Sequence, residues 1–122
     1  MTCLRGASAV QRLLARNPAV PLRVLVVWEP VIFSDIAPPT NFALARITDS
    51  RAVQFWDHGL TLSRAIRGGA SDDDGVIVWD YVAVFPAGAR WEAAPPDPLF
   101  SGGTVVDVID EVERVVAGKA PR

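Results

Sequence analysis

The sequence predicts an α/β fold, because short apolar runs typical of strands alternate with segments that have helical spacing. The two clearest strands are LRVLVVW (22–28) and VIVWDYVAVF (76–85), both rich in β-branched residues. Apolar residues recur at helical spacing near both ends of the chain. The length of 122 residues, with 50% hydrophobic residues, is sufficient for one domain with one core, residues 1–122.

The N-terminal segment predicts an amphipathic helix over residues 8–16. Ser8, followed three positions later by Gln11, fits a capping box, and Asn17-Pro18 marks the end of the helix. The run 22–28 is too short for a helix of this kind, and we expect a central strand buried on both faces. The apolar face of the helix would be formed by Val10, Leu13 and Leu14.

The middle of the chain predicts a loop, a brief helix and a second strand. EPVIFSDIAPPTN (29–41) contains three prolines, which disfavour regular structure. Thr40 or Asn41 can cap a brief helix, after which DSRAVQFW (49–56) supplies a strand. Asp57 can then cap another helix that ends at the glycines 68–69.

The C-terminal third predicts a hairpin and a helix. PAGAR (86–90) can turn the strand 76–85 back into a short strand around Trp91, which leaves PPDPLFSGG (95–103) as a loop. Thr104 begins a last helix that extends to about residue 117. The predicted order is an N-terminal helix followed by β-α-β-α-β-β-α, with the core of the fold at about 22–117.

This order of elements resembles the thioredoxin fold. VLVVWEP (24–30) looks like the strand before the redox site, and VAVFPAGARW (82–91) looks like the hairpin opposite it. The resemblance implies a central mixed four-stranded sheet. The Trp-Asp pairs also look similar to uncharacterised bacterial proteins grouped with thioredoxin-like domains.

The chain departs from the thioredoxin pattern at the redox site. The usual Cys-x-x-Cys would fall at FSDI (33–36), which contains no thiol, and Cys3 is the only cysteine in the chain. Thiol-disulfide exchange needs a thiolate, so we expect that activity to be absent. The cis-proline of the family would align with Asp80. The resemblance therefore implies the scaffold without its redox chemistry.

Acidic side chains are expected to meet at one edge of this sheet. In such a topology the strands that end at Trp28-Glu29 and at Trp56-Asp57-His58 are parallel, and the strand with Trp79-Asp80 runs antiparallel beside them. That edge is where α/β sheets often bind ligands, and the loop around Asp35 would cover it. The candidate binding rim comprises Trp28, Glu29, Asp35, Trp56, Asp57, His58, Trp79 and Asp80.

Three interpretations of this rim remain open at the level of sequence. Its acids can be structural, with Asp57 as a helix cap, Asp80 as an acceptor of backbone hydrogen bonds from the covering loop, and Glu29 solvated. They can also line a binding pocket, or form an acid/base or divalent-metal site. His58 is the only histidine, and the nearby candidates Ser34 and Ser63 lie in no Gly-x-Ser-x-Gly elbow, so the sequence gives no signature of hydrolysis.

The tryptophans of the rim have two readings. They can form an aromatic cage for a planar or cationic ligand. Alternatively, they pack in the core with each indole N–H donating to a neighbouring carboxylate.

Composition excludes some classes of partner. The net charge of −2 gives no broad cationic surface for nucleic acid, and no apolar run approaches the ~20 residues that span a bilayer. We expect a cytoplasmic binding module without a cofactor, whose partner is a small molecule or a protein. An enzyme using Glu29, Asp57, His58 and Asp80 is the alternative, and a homodimer formed through the N-terminal helix or the strand near Trp91 is a third possibility.

Overall fold

Four helices and four strands make up the described part of the chain, which comprises residues 2–29, 40–66 and 80–118 of a computed structural model. The predicted α/β class is confirmed. The predictions for Asp35, for residues 68–69 and for Trp79 concern residues outside the described ranges. The elements are α1 (Thr2–Arg16), β1 (Val24–Trp28), α2 (Asn41–Leu44), β2 (Ala52–Trp56), α3 (Thr61–Ile66), β3 (Tyr81–Val84), β4 (Phe100–Gly103) and α4 (Val105–Val116).

The described strands form two sheets of two strands each. β1 and β2 are parallel, with Val24 opposite Ala52 at one end and Trp28 opposite Trp56 at the other. β3 and β4 are antiparallel. Among these strands β1 pairs only with β2, so the expected four-stranded sheet is not seen in the described ranges.

The partner of β3 differs from the sequence prediction. The strand expected around Trp91 is absent, and residues 100–103, which were expected to be loop, form β4 instead. α4 packs directly over β4, and a Cβ at Gly102 would lie 3.7 Å from Cγ1 of Val108, an ordinary van der Waals distance. Trp91 instead places its ring edge-on to Phe85, with ring centroids 6.3 Å apart.

Helix α1 begins at Thr2, six residues before the predicted start. Ser8 therefore lies inside the helix, and the capping-box interpretation of Ser8 and Gln11 is wrong. The Gln11 side chain has a tertiary role: its Oε1 accepts hydrogen bonds from the amides of Thr48 and Asp49, at 2.9 and 3.2 Å. This contact fastens α1 to the turn that precedes β2.

The core lies where α1 packs against α4 and against one face of β1. Leu14 is completely buried at its centre. The opposite face of the β1–β2 sheet is open: Leu25 is 61% exposed and its register partner Val53 is 47% exposed. The prediction that residues 22–28 are buried on both faces is therefore wrong. The buried core cluster consists of Ala7, Leu13, Leu14, Ile47 and Val112, and the inward residues of β1 that pack on it are Val24, Val26 and Trp28.

An arginine network connects the end of α1 to the start of β2. Arg51 forms a two-pronged ion pair with Asp49, at 2.9 and 2.8 Å. The same guanidinium donates to the carbonyl oxygens of Leu14, Asn17 and Val20, at 2.7–2.8 Å. It thereby satisfies carbonyl groups at and just beyond the C-terminal end of α1 that have no partner within the helix.

No helix in the described ranges is long and apolar enough to cross a lipid bilayer.

Candidate functional site

The carboxyl ends of β1 and β2 place two acids side by side. Because Trp28 is opposite Trp56 in the parallel register, the next residues, Glu29 and Asp57, leave the sheet at the same edge. The amide of Asp57 donates to the carbonyl of Trp28 at 2.8 Å, which extends the pairing by one step. This part of the arrangement follows from the parallel strands that the sequence predicted.

The first turn of α3 binds both carboxylates. Oδ2 of Asp57 accepts the amide of Leu62 at 2.7 Å, which gives Asp57 the predicted role at the start of this helix. The Ser63 hydroxyl donates to Oε1 of Glu29, and the Ser63 amide donates to Oε2 at 3.3 Å. Ser63 is only 3% exposed. In the sequence Ser63 was only a candidate nucleophile, and the structural interpretation expected Glu29 to be solvated. No local signal indicated that Ser63 anchors Glu29.

The pKa values of Glu29 and Asp57 shift in opposite directions. Burial raises the pKa of Glu29, and its hydrogen bond with Asp57 raises it further, although the bonds from Ser63 act against this. Burial also tends to raise the pKa of Asp57, but the Leu62 amide and the hydrogen bond from Glu29 outweigh burial, so the net pKa is lowered. The pair therefore favours a proton on Glu29 and a negative charge on Asp57.

Glu29→Gln is expected to reduce the loss of stability that accompanies a rise in pH. A carboxyl whose folded pKa lies above its ordinary value of 4.5 stabilises the fold below pH 4.5, and this contribution disappears as pH rises through the folded pKa. Glutamine cannot ionise but can still accept the Ser63 hydrogen bond. Denaturant unfolding at a series of pH values measures the effect, and Glu92→Gln, at an exposed position, is the matched control. A pH profile of Glu29→Gln parallel to that of the wild type would contradict the shared-proton arrangement.

Asp80 has different partners from the other two acids. Its Oδ1 accepts the amide of Val105 at 3.0 Å, at the start of α4, and its backbone adopts a positive φ of 43°, which aspartate tolerates better than most residues. A Cβ on Gly6 would lie 3.2 Å from this oxygen, so α1 passes close by. In the described ranges no hydrogen bond or ion pair joins Asp80 to Glu29 or Asp57.

The tryptophan and histidine side chains have separate environments. The indole N–H of Trp28 donates to the Gln54 amide oxygen at 2.9 Å, so the expected bond to a carboxylate is wrong for Trp28. Gln54 in turn donates to the carbonyl of Leu44 at 2.9 Å. His58 is exposed, and its ring lies 6.0 Å from that of Trp56, measured between centroids. Gln54 thus couples β1, β2 and α2 through its amide, a role that no sequence motif indicated.

A groove of about 470 Å³ opens beside Asp57. We call it the tryptophan groove. Its lining combines apolar and aromatic surface with one carboxylate, and its size falls within the range of small-molecule sites. The lining residues are Val27, Trp56, Asp57, Thr61, Leu62, Ala65 and Trp91.

The described residues contain no group of three or more His, Cys, Asp or Glu side chains arranged to hold a metal ion. The candidate acids Glu29, Asp57 and Asp80 all belong to the described part of the chain, as does His58. Their arrangement therefore gives no support to the metal-site alternative.

Comparison of the chain with protein-family models, curated proteins and solved structures finds no match. The chemistry of the groove and of the carboxyl pair is therefore the basis on which a function can be assigned.

Proposed function

We propose that the protein is a binding module for a small ligand that carries an apolar or aromatic body and a cationic group. The observation that carries this proposal is the presence of Trp56, Trp91 and Asp57 in the lining of one groove. Apolar walls with few polar groups are typical of ligand sites, and aromatic faces attract cations. Trp91 is 41% exposed, so part of its ring is available for contact.

The carboxyl pair explains why the ligand would be cationic. Asp57 contributes to the groove lining, and although burial opposes its ionisation, its hydrogen bonds lower its pKa and favour the negatively charged form. The Leu62 amide holds the Asp57 carboxylate in place through a hydrogen bond. Little rearrangement is therefore needed when an ammonium group binds. The neighbouring Glu29 carboxyl group is held by a hydrogen bond from the Ser63 amide.

An acid/base enzyme is the second candidate function. Two adjacent carboxyls with opposite pKa shifts are a common arrangement of a general acid and a general base. In this reading Asp57 acts as the base toward a group in the tryptophan groove, and Glu29 supports its ionisation. The chain would then turn over a bound substrate as well as bind it.

For the scaffold we propose the thioredoxin-like assignment. The parallel β1–β2 pair, the antiparallel β3–β4 pair and the following α4 support it. A cytoplasmic location and the absence of thiol chemistry remain part of the same proposal.

Titration with primary and quaternary amines that carry aromatic or alkyl groups is expected to change the tryptophan fluorescence and to raise the melting temperature. Asp57→Asn retains an oxygen that can accept the Leu62 amide but removes the charge, so affinity for the amines should fall by about tenfold or more. Trp91→Ala should weaken binding by removing part of the wall.

A neutral alcohol with the same apolar body is the matched ligand control, and Asp97→Asn, at an exposed position, is the matched protein control. If amines and alcohols bind Asp57→Asn and the wild type equally, the cation-binding proposal is wrong. Consumption of a bound amine, lost in both Asp57→Asn and Glu29→Gln, would favour the enzyme instead.

A further inference from the structure

A second groove, of about 530 Å³, lies between α1, the turn after α2 and the first turn of α4. We call it the arginine groove. Arg5, Ser8 and Arg12 lie three and four positions apart along α1, a spacing that puts them on one face of the helix. The complete lining is Leu4, Arg5, Ser8, Arg12, Arg46 and Val106.

No acidic residue in the lining of this groove balances its positive charge. Three of the six are arginines and none is acidic, although the whole chain has a net charge of −2. Within the described ranges Arg5, Arg12 and Arg46 form no ion pair with an acid. Three arginines along one concave surface concentrate positive charge, and an anion bound among them would offset it.

Arg46 is the most constrained of the three. Its guanidinium carbon lies 4.6 Å from the centroid of the Phe42 ring, which is a cation–π contact. Its Nε is buried and has no hydrogen-bond partner among the described residues. A buried N–H group is costly when unpaired, so a shift of the Arg46 side chain toward a ligand oxygen would relieve that cost.

Acids near the arginine groove have other partners. Asp107 accepts the hydroxyl of Thr104 at 2.6 Å, and Asp80 accepts the amide of Val105 through Oδ1, while its buried Oδ2 has no hydrogen-bond partner among the described residues. Val106 belongs to the first turn of α4, a helix of 12 residues, where the partial positive charge of the helix dipole also favours an anion.

We propose that the arginine groove binds a small molecule bearing a phosphate group. Guanidinium groups match phosphate oxygens with paired, charge-assisted hydrogen bonds, and the Ser8 hydroxyl adds a neutral donor on the same helix face. The groove volume exceeds that of the phosphate alone, so the ligand is an organic phosphate whose body contacts Leu4 and Val106. This site is separate from the tryptophan groove and does not depend on the function proposed there.

Calorimetric titration at low ionic strength tests the proposal with inorganic phosphate, pyrophosphate, glycerol 3-phosphate and malonate. The phosphate compounds should bind, and glycerol 3-phosphate should bind more tightly than inorganic phosphate. Arg12→Gln, at an exposed position, should weaken binding by roughly tenfold, and Arg12→Gln with Arg46→Gln should weaken it further. Arg23→Gln is the control at an exposed arginine outside the groove and should weaken binding much less than Arg12→Gln, because it removes the same charge without removing a contact.

Amide chemical shifts distinguish a variant that has lost binding from one that has lost its folded structure. Binding should shift the resonances of Ser8 and Val106 in the wild type, and Arg12→Gln should keep a wild-type spectrum elsewhere. No binding of any phosphate compound by the wild type would overturn the proposal. So would equal affinity of the wild type and the double variant, or equal affinity for malonate and glycerol 3-phosphate.

Discussion

Leu14→Ala is expected to lower the free energy of unfolding by about 3 kcal/mol. Leu14 is fully buried between α1 and its neighbours, and loss of a buried leucine removes transfer free energy and leaves a cavity. Since small domains have only about 5–15 kcal/mol of stability, the variant should unfold at a distinctly lower urea concentration.

Leu25→Ala is the matched control, because it deletes the same atoms at a position that is 61% exposed. Its effect should stay within about 0.5 kcal/mol, as for most surface substitutions. Equal destabilisation by the two variants would mean that the outer face of the β1–β2 sheet is covered in solution, contrary to the exposure described here.

Arg51→Lys is expected to reduce the melting temperature by roughly 5 °C or more. Lysine keeps the charge but cannot reproduce the two-pronged bond to Asp49 together with donation to three backbone carbonyls. Differential scanning calorimetry measures the change, and Arg90→Lys, at an exposed position, is the control. An unchanged melting temperature would show that the network contributes nothing to stability.

The same network should also affect how the free energy of unfolding depends on pH under acidic conditions. The hydrogen bonds from Arg51 lower the pKa of Asp49 from its ordinary value of 3.8 to about 2. Its contribution is therefore complete above about pH 3.8 and is lost as pH falls through about 2. Asp49→Asn should remove this part of the acid dependence while leaving the profile above pH 5 parallel to that of the wild type.

Leu14 and Leu25 show which aspects of side-chain burial can be predicted from the sequence. Helical spacing correctly placed Leu14 on the apolar face of α1. The apolar run 22–28 led to an expectation of burial on both faces, yet only alternate residues of β1 pack on the core. The local sequence shows how apolar a strand is. Which of its faces is buried depends on the packing of other elements against the sheet.

The candidate site divides in the same way. The carboxyl edge shared by Glu29 and Asp57 was predictable, because parallel strands of similar length bring their ends together. The Ser63 anchor, the Gln54 bridge and the Asp80 bond to Val105 were not, since each joins residues 25 to 34 positions apart through side-chain geometry.

By itself, the sequence determined the α/β class, a strand that ends at Trp56, a helix cap at Thr40 or Asn41, and the pairing of two acids at a strand edge. These features depend on nearest neighbours and on side-chain periodicity, which the chain carries locally. Only the tertiary structure decided that residues 100–103 pair with β3 and that three arginines share one groove. Such contacts depend on how elements that are distant in the sequence approach one another in space, as α4 and β4 do, and local sequence patterns do not record that approach.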